Sequence, residues 1–206
     1  MTHPDLCRPD ATSKDCSLDR LTAALAVQLA PERRDASGAE VAALLREYAV
    51  AEESWRGYAQ FRKDTYSRNL IWRSDDFELL LLCWGEGQVS PIHDHSGQHC
   101  WMAVLEGELQ EVHFEEGPGG LREGRIKDFP TGGVAYIHDD IALHLIRPKP
   151  GTHGVSLHLY SSPIDACRTF CPDTGAPTAV QVGYHSVRGS LCGGEDPARI
   201  RQGWKA

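Results

Sequence analysis

Residues 77–114 read FELLLLCWGEGQVSPIHDHSGQHCWMAVLEGELQEVHF. Three runs in this stretch, 77–83, 101–105 and 109–114, are rich in strand formers, and Gly-bearing turns at 85–87 and 106–108 punctuate them. The pattern continues at 134–137 and 155–160, with EGPGG at 116–120 and TGG at 131–133 as further turns. Many short strands at close spacing predict a mainly β protein, an antiparallel barrel or jelly roll. From 171 onward the chain is rich in Gly and Pro and is expected to wrap the barrel as loops with one or two strands.

Upstream of the barrel the period changes. Leu18, Leu21, Leu25 and Leu29 recur at helical spacing, with Ser17 placed as an N-cap and Pro31 as the stop. Ser37 and Glu40 form a capping box ahead of Val41, Leu44, Leu45 and Tyr48, and a third short helix is expected over 51–60. The sequence thus reads as a helical segment, 1–60, packed on a barrel domain, 61–206, as one structural unit.

Composition narrows the function. A net charge of −8 disfavours a surface that tracks nucleic-acid phosphates. No apolar run is long enough to span a bilayer, and the first residues lack the basic start and apolar stretch of a signal peptide. Seven cysteines without a CxxC pair, in a chain read as cytoplasmic and monomeric, are expected to stay reduced.

The histidines carry the chemistry. His93 and His95 stand at i and i+2, a spacing that on a strand sends both imidazoles to one face, where they can chelate one metal. Gly87 lies six residues before His93, and Gly133 lies eleven before His144 in a second strand-rich stretch. On 155–160, alternation places Ser156, His158 and Tyr160 on one face, a polar row that is costly inside a barrel unless its members are hydrogen-bonded. His3, His99, His113, His138, His153 and His185 are read as ordinary histidines.

The Gly87–His93–His95 spacing resembles the first cupin motif, and Gly133 with His144 resembles the second. Cupins are double-stranded β-barrels that hold a metal with these histidines. Cys100 stands where most cupins have a Glu ligand, and Asp139 and Ile141 stand where Pro and Gly are usual. Together, YSRNL (66–70), LLCWGEGQVSPIHDHSGQHCW (81–101) and VSLHLYSSPIDAC (155–167) resemble the cysteine dioxygenase branch of the thiol dioxygenase family. The resemblance implies Fe(II) held by His93, His95 and His144, with L-cysteine and O2 as substrates. It implies that Arg68 binds the substrate carboxylate and that Tyr66 lines the same pocket. It implies a thioether between Cys100 and Tyr160, a hydrogen-bond chain through Ser156, His158 and Tyr160, and a structural aromatic at Trp84. Three neutral imidazoles suit this chemistry, because they leave the metal its full 2+ charge for an incoming thiolate. Competing readings are a dioxygenase for 3-mercaptopropionate, whose relatives generally lack an arginine at position 68, a cupin that binds metal without turnover, and a zinc site that includes Cys100.

Overall fold

The computed structural model describes residues 15–31 and 38–192. Among the described residues two α-helices come first, α1 (Asp15–Gln28) and α2 (Gly38–Ala51), followed within the expected third short helix, 51–60, by a 3-10 turn at Ser54–Tyr58. Ser17 lies inside α1 and is not its cap. Its hydroxyl meets that of Ser54 at 2.6 Å, which in turn meets the Tyr48 hydroxyl at 2.8 Å and ties the helices to the turn. Ser37, the first residue of the expected capping box, lies outside the described residues. No helix among the described residues is long and apolar enough to cross a membrane.

Twelve strands follow: β1 (Ser67–Arg73), β2 (Glu78–Trp84), β3 (Ile92–His93), β4 (His99–Gly117), β5 (Gly120–Pro130), β6 (Val134–Ile137), β7 (Leu143–Pro148), β8 (Gly154–Ser161), β9 (Ala166–Phe170), β10 (Pro177–Gln181), β11 (Ser186–Val187) and β12 (Ser190–Leu191). Along the sheet path the order is β10-β9-β3-β7-β4-β8-β2-β1-β11-β12, with β5 and β6 also paired to β4. All pairings are antiparallel except β1 with β11. This is the mainly β antiparallel barrel that the strand pattern predicts, with its N-terminal helical layer, in the cupin-type double-stranded form that the motif resemblance implies.

Side chains of the central strands alternate between two cores. Leu79, Leu81 and Cys83 of β2, Trp101 and Ala103 of β4, and Leu157 and Leu159 of β8 pack with Leu18, Leu25, Val41 and Leu45 of the helices. Their neighbours Leu80, Leu82, Trp84, Cys100, Met102, Val104 and Tyr160 face the barrel interior. Both faces of β2 and β8 are therefore covered, which is why every residue of each is buried. Each fully buried Leu contributes about 1.5–3 kcal/mol, so the helical layer adds a second apolar core.

The EGE segment at 106–108 does not end a strand. β4 runs through it with a bulge between Val104 and Glu106, passing from pairing with β8 and β6 to pairing with β7 and β5. At Gly107 the chain adopts φ 79°, and a Cβ there would stand 2.3 Å from the His153 carbonyl oxygen. Only glycine fits such a position. The bulge inserts one residue, so the alternation inverts: Cys100, Met102 and Val104 point inward before it, and Leu109 points inward after it.

Candidate metal centre

Two strands and a turn bring together the three histidines that could hold a metal. His93 ends β3 and sits directly across from His144 of β7. His95 lies beyond β3, not on it, so strand alternation is not what aims its ring. A tight turn does so: Gln98 N–H donates to the His95 carbonyl at 3.0 Å, and Asp139 accepts the backbone N–H groups of His95 and Gly97, each at 2.7 Å. Asp139, a departure from the usual cupin residue, thus clamps the loop that carries a ligand. Between the two histidines, buried Asp94 binds the backbone N–H and the Nε of Arg168 and fastens the same loop to β9.

The three rings lie with centroids 4.6–5.1 Å apart, and one ring nitrogen from each falls within 4.8 Å of the others. Two of the opposite ring nitrogens are hydrogen-bonded, and that of His95 is not. His93 Nδ1 is 2.9 Å from the Pro91 carbonyl oxygen and His144 Nδ1 is 2.9 Å from Glu111 Oε1, while His95 Nδ1 faces Asp139 Oδ1 at 3.6 Å. Burial, reinforced by the neighbouring rings, lowers the pKa of His93 to about 3 and holds His144 well below its usual value. Both are therefore neutral near pH 7, the form that binds metal. His144 Nε2 is buried with no hydrogen-bond partner among the described residues. A divalent cation fits this arrangement, because it would satisfy that orphaned lone pair.

Beside the histidines is a cavity of about 90 Å³ lined by Tyr66, Arg68, His93, His95, Tyr160 and Cys167 among others, room for roughly three waters. Tyr66, Arg68 and Pro91 also line a wider outer recess, so they form the neck between the two. Arg68 enters from β1. Its Nε donates to the Gly183 carbonyl at 3.3 Å, and its guanidinium carbon is 5.8 Å from the Tyr160 ring centroid. Its Nη2 is buried without a hydrogen-bond partner among the described residues, 3.9 Å from Glu78 Oε1. Glu78 is fully buried and also binds Arg73 at 2.9 Å, the Tyr184 hydroxyl at 2.6 Å and the Ile164 N–H at 3.1 Å.

The polar row on β8 is continuous. Trp84 Nε1–H, which can only donate, gives its hydrogen to Ser156 Oγ at 2.9 Å. Ser156 then donates to His158 Nε2 at 2.9 Å, which leaves the His158 Nδ1–H directed at the Tyr160 hydroxyl 3.5 Å away. Burial keeps His158 neutral and Tyr160 protonated. The Tyr66 ring stacks on Trp84 at 4.6 Å and closes the wall behind the cavity. Cys100 faces Tyr160 directly across the β4–β8 ladder, and burial raises its thiol pKa.

A double-stranded β-barrel with three convergent histidines at the edge of its inner core is a metal-binding cupin. The match to known proteins is more specific: the chain belongs to the cysteine dioxygenase type I family, which it matches over residues 12–172. It is 39% identical to cysteine dioxygenase type 1 of Rattus norvegicus and 37% identical to that of Homo sapiens, each over 155 residues, 73% of this chain and 78% of the relative. Among solved structures it is similar to a protein with a double-stranded β-helix domain from Klebsiella pneumoniae, with a TM-score of 0.46 and 12% identity over 64% of this chain and 98% of that one.

Every residue singled out from the sequence therefore falls in one region. Tyr66, Arg68, His93, His95 and Tyr160 line the cavity; His144 packs against the two neighbouring histidines; Ser156, His158, Trp84 and Cys100 stand behind Tyr160 and Tyr66. The sequence reading missed Glu78, Glu111 and Cys167. It also left His113 without a partner, whereas His113 Nε2 lies 3.1 Å from Glu111 Oε2.

Proposed function

We propose that this protein is an iron-dependent cysteine dioxygenase that converts L-cysteine and O2 to cysteine sulfinic acid, with both oxygen atoms transferred to sulfur. The observation that carries the reading is the shared cavity of Arg68, His93 and His95, where a buried guanidinium whose Nη2 makes no hydrogen bond among the described residues stands beside a three-histidine metal centre. Ferrous iron held by His93, His95 and His144 would supply the redox chemistry that lets O2 react with a thiolate.

The residues of the chain divide the remaining work. Arg68 binds the substrate carboxylate through its free Nη2, a charge-assisted contact in a site from which water is largely removed. Glu78, cross-strand from Tyr160, keeps the guanidinium compensated without occupying it. Tyr160 accepts from His158 and so directs its own hydrogen into the cavity, where it can hold a proton on a bound oxygen atom. Trp84 and Ser156 fix the tautomer of His158, and Tyr66 narrows the entrance. A thioether between Cys100 Sγ and a ring carbon of Tyr160 belongs to the same reading. It forms with loss of the thiol hydrogen and one ring hydrogen to O2, which is reduced by two electrons, and it would restrict the Tyr160 rotamers. A cytoplasmic setting is part of the proposal, supported by the free thiols of Cys83, Cys100, Cys167 and Cys171.

The test is anaerobic reconstitution with Fe(II), followed by O2 uptake with cysteine, cysteamine and 3-mercaptopropionate in parallel. The proposal expects fast uptake with cysteine alone. Faster turnover of 3-mercaptopropionate, or equal turnover with zinc, would overturn it.

A further inference from the structure

We propose that Glu111 is a positioning residue for the metal centre, aiming and strengthening His144 as a ligand, and that His113 anchors Glu111 for that task. The inference rests on the three-histidine metal site and is independent of which thiol is the substrate. Glu111 is 1% exposed. Its Oε1 accepts from His144 Nδ1 at 2.9 Å, and its Oε2 stands 3.1 Å from His113 Nε2. The register explains the grouping: on the β4–β7 ladder His113 lies opposite His144, and Glu111 lies one pleat further along, opposite Ile146. The three side chains share the inner face because the bulge near Gly107 has inverted the alternation of β4.

The physical consequences run in one direction. A neutral imidazole carries a single N–H, and a carboxylate at Nδ1 holds it there, so Nε2 presents its lone pair to the cation. Partial withdrawal of that hydrogen by an anion makes the ring a stronger donor to metal. Among the three ligands this support is unequal. His93 leans on a backbone carbonyl and His95 has its carboxylate at 3.6 Å, so His144 alone has a carboxylate within hydrogen-bond distance. A lone carboxylate can rotate about its last bond; His113 Nε2, packed 3.1 Å from the second oxygen without hydrogen-bond geometry, restrains that rotation by close contact.

The experiment measures Fe(II) affinity anaerobically by competition with a chelator, and the visible absorption of the Co(II)-loaded protein, for wild type, Glu111→Ala, Glu111→Gln, His113→Leu and His144→Ala. Glu111→Ala should bind Fe(II) about 10- to 100-fold more weakly and shift the Co(II) bands. Glu111→Gln retains an oxygen that accepts from Nδ1 and should fall between wild type and Glu111→Ala on both readouts. His113→Leu should lose less affinity than Glu111→Ala. Wild-type affinity and Co(II) bands in Glu111→Gln together with undiminished affinity in Glu111→Ala would overturn the proposal, as would a Glu111→Gln variant no better than Glu111→Ala. Full metal content in His144→Ala would overturn the metal assignment itself. A failure of the cysteine reaction alone would leave these affinities unchanged.

Discussion

Arg68 presents to the cavity a guanidinium nitrogen with no protein partner among the described residues, held near a buried carboxylate that it does not hydrogen-bond. Such a group discriminates by charge. Arg68→Ala should cost cysteine about 1.5–3 kcal/mol in transition-state binding, roughly ten- to a hundredfold in kcat/KM, and cysteamine, which has no carboxylate, far less. Steady-state O2 uptake with both thiols checks this, and equal losses would assign Arg68 a purely structural role. Tyr160 and Cys100 give a second prediction. Their direct cross-strand pairing leads us to expect that aerobic turnover makes wild type lighter by two hydrogens in intact mass spectrometry. Cys100→Gly should show no such loss and keep partial activity. The ligands and the β8 row were legible because their chemistry follows from residue type and short spacing. Glu78 was not, since nothing in ELLLLCW distinguishes a carboxylate that will meet Arg73, Tyr184 and Arg68 from one at a strand end. Those partners lie up to 106 residues away.

β4 shows where strand alternation can be read and where it cannot. Before the bulge, simple alternation puts Cys100 beside Tyr160, as the sequence implies. Carried past residue 106, it would put Gln110 and Val112 inside, whereas Leu109 faces the inner core and Glu111 reaches His144. The segment at 106–108 reads as a turn, and a glycine signals a break without saying whether the chain reverses or only bends. Gly107→Ala is accordingly expected to destabilise the fold. The left-handed backbone alone costs about 1–2 kcal/mol, and the clash with the His153 carbonyl adds to it; urea denaturation measures the sum. β1 and β5 were not singled out as strands, and β7 was placed only within a strand-rich stretch around His144. β5 is mostly exposed and charged, as befits a strand whose outer side meets water, and β1 is polar because Ser67 and Asn69 form hydrogen bonds within the structure. β7 alternates buried with half-buried residues over too short a span to stand out.

The whole molecule combines a helix-backed apolar core with an inner core that holds polar groups on one side. The helical layer was legible from leucine spacing, while the joining of α1 to the 3-10 turn through Ser17 and Ser54 was not, because it depends on contacts 37 residues apart. Histidines from two separate parts of the barrel, the β3 end and β7, meet at one point, so a bound cation should stabilise the fold as a unit. At a hundredfold excess over its Kd the metal should add about 2.7 kcal/mol, and with roughly 2–4 °C per kcal/mol a melting temperature about 5–10 °C higher than that of the metal-free protein. Thermal unfolding with and without Fe(II) under anaerobic conditions reads this out. The central claim, transfer of both oxygen atoms to the sulfur of cysteine, is tested most directly by turnover of the Fe(II)-loaded protein under isotopically labelled O2, with mass spectrometry of the product. We expect cysteine sulfinic acid with both sulfinate oxygens labelled; a product carrying one labelled oxygen or none, or cystine alone, would contradict the account.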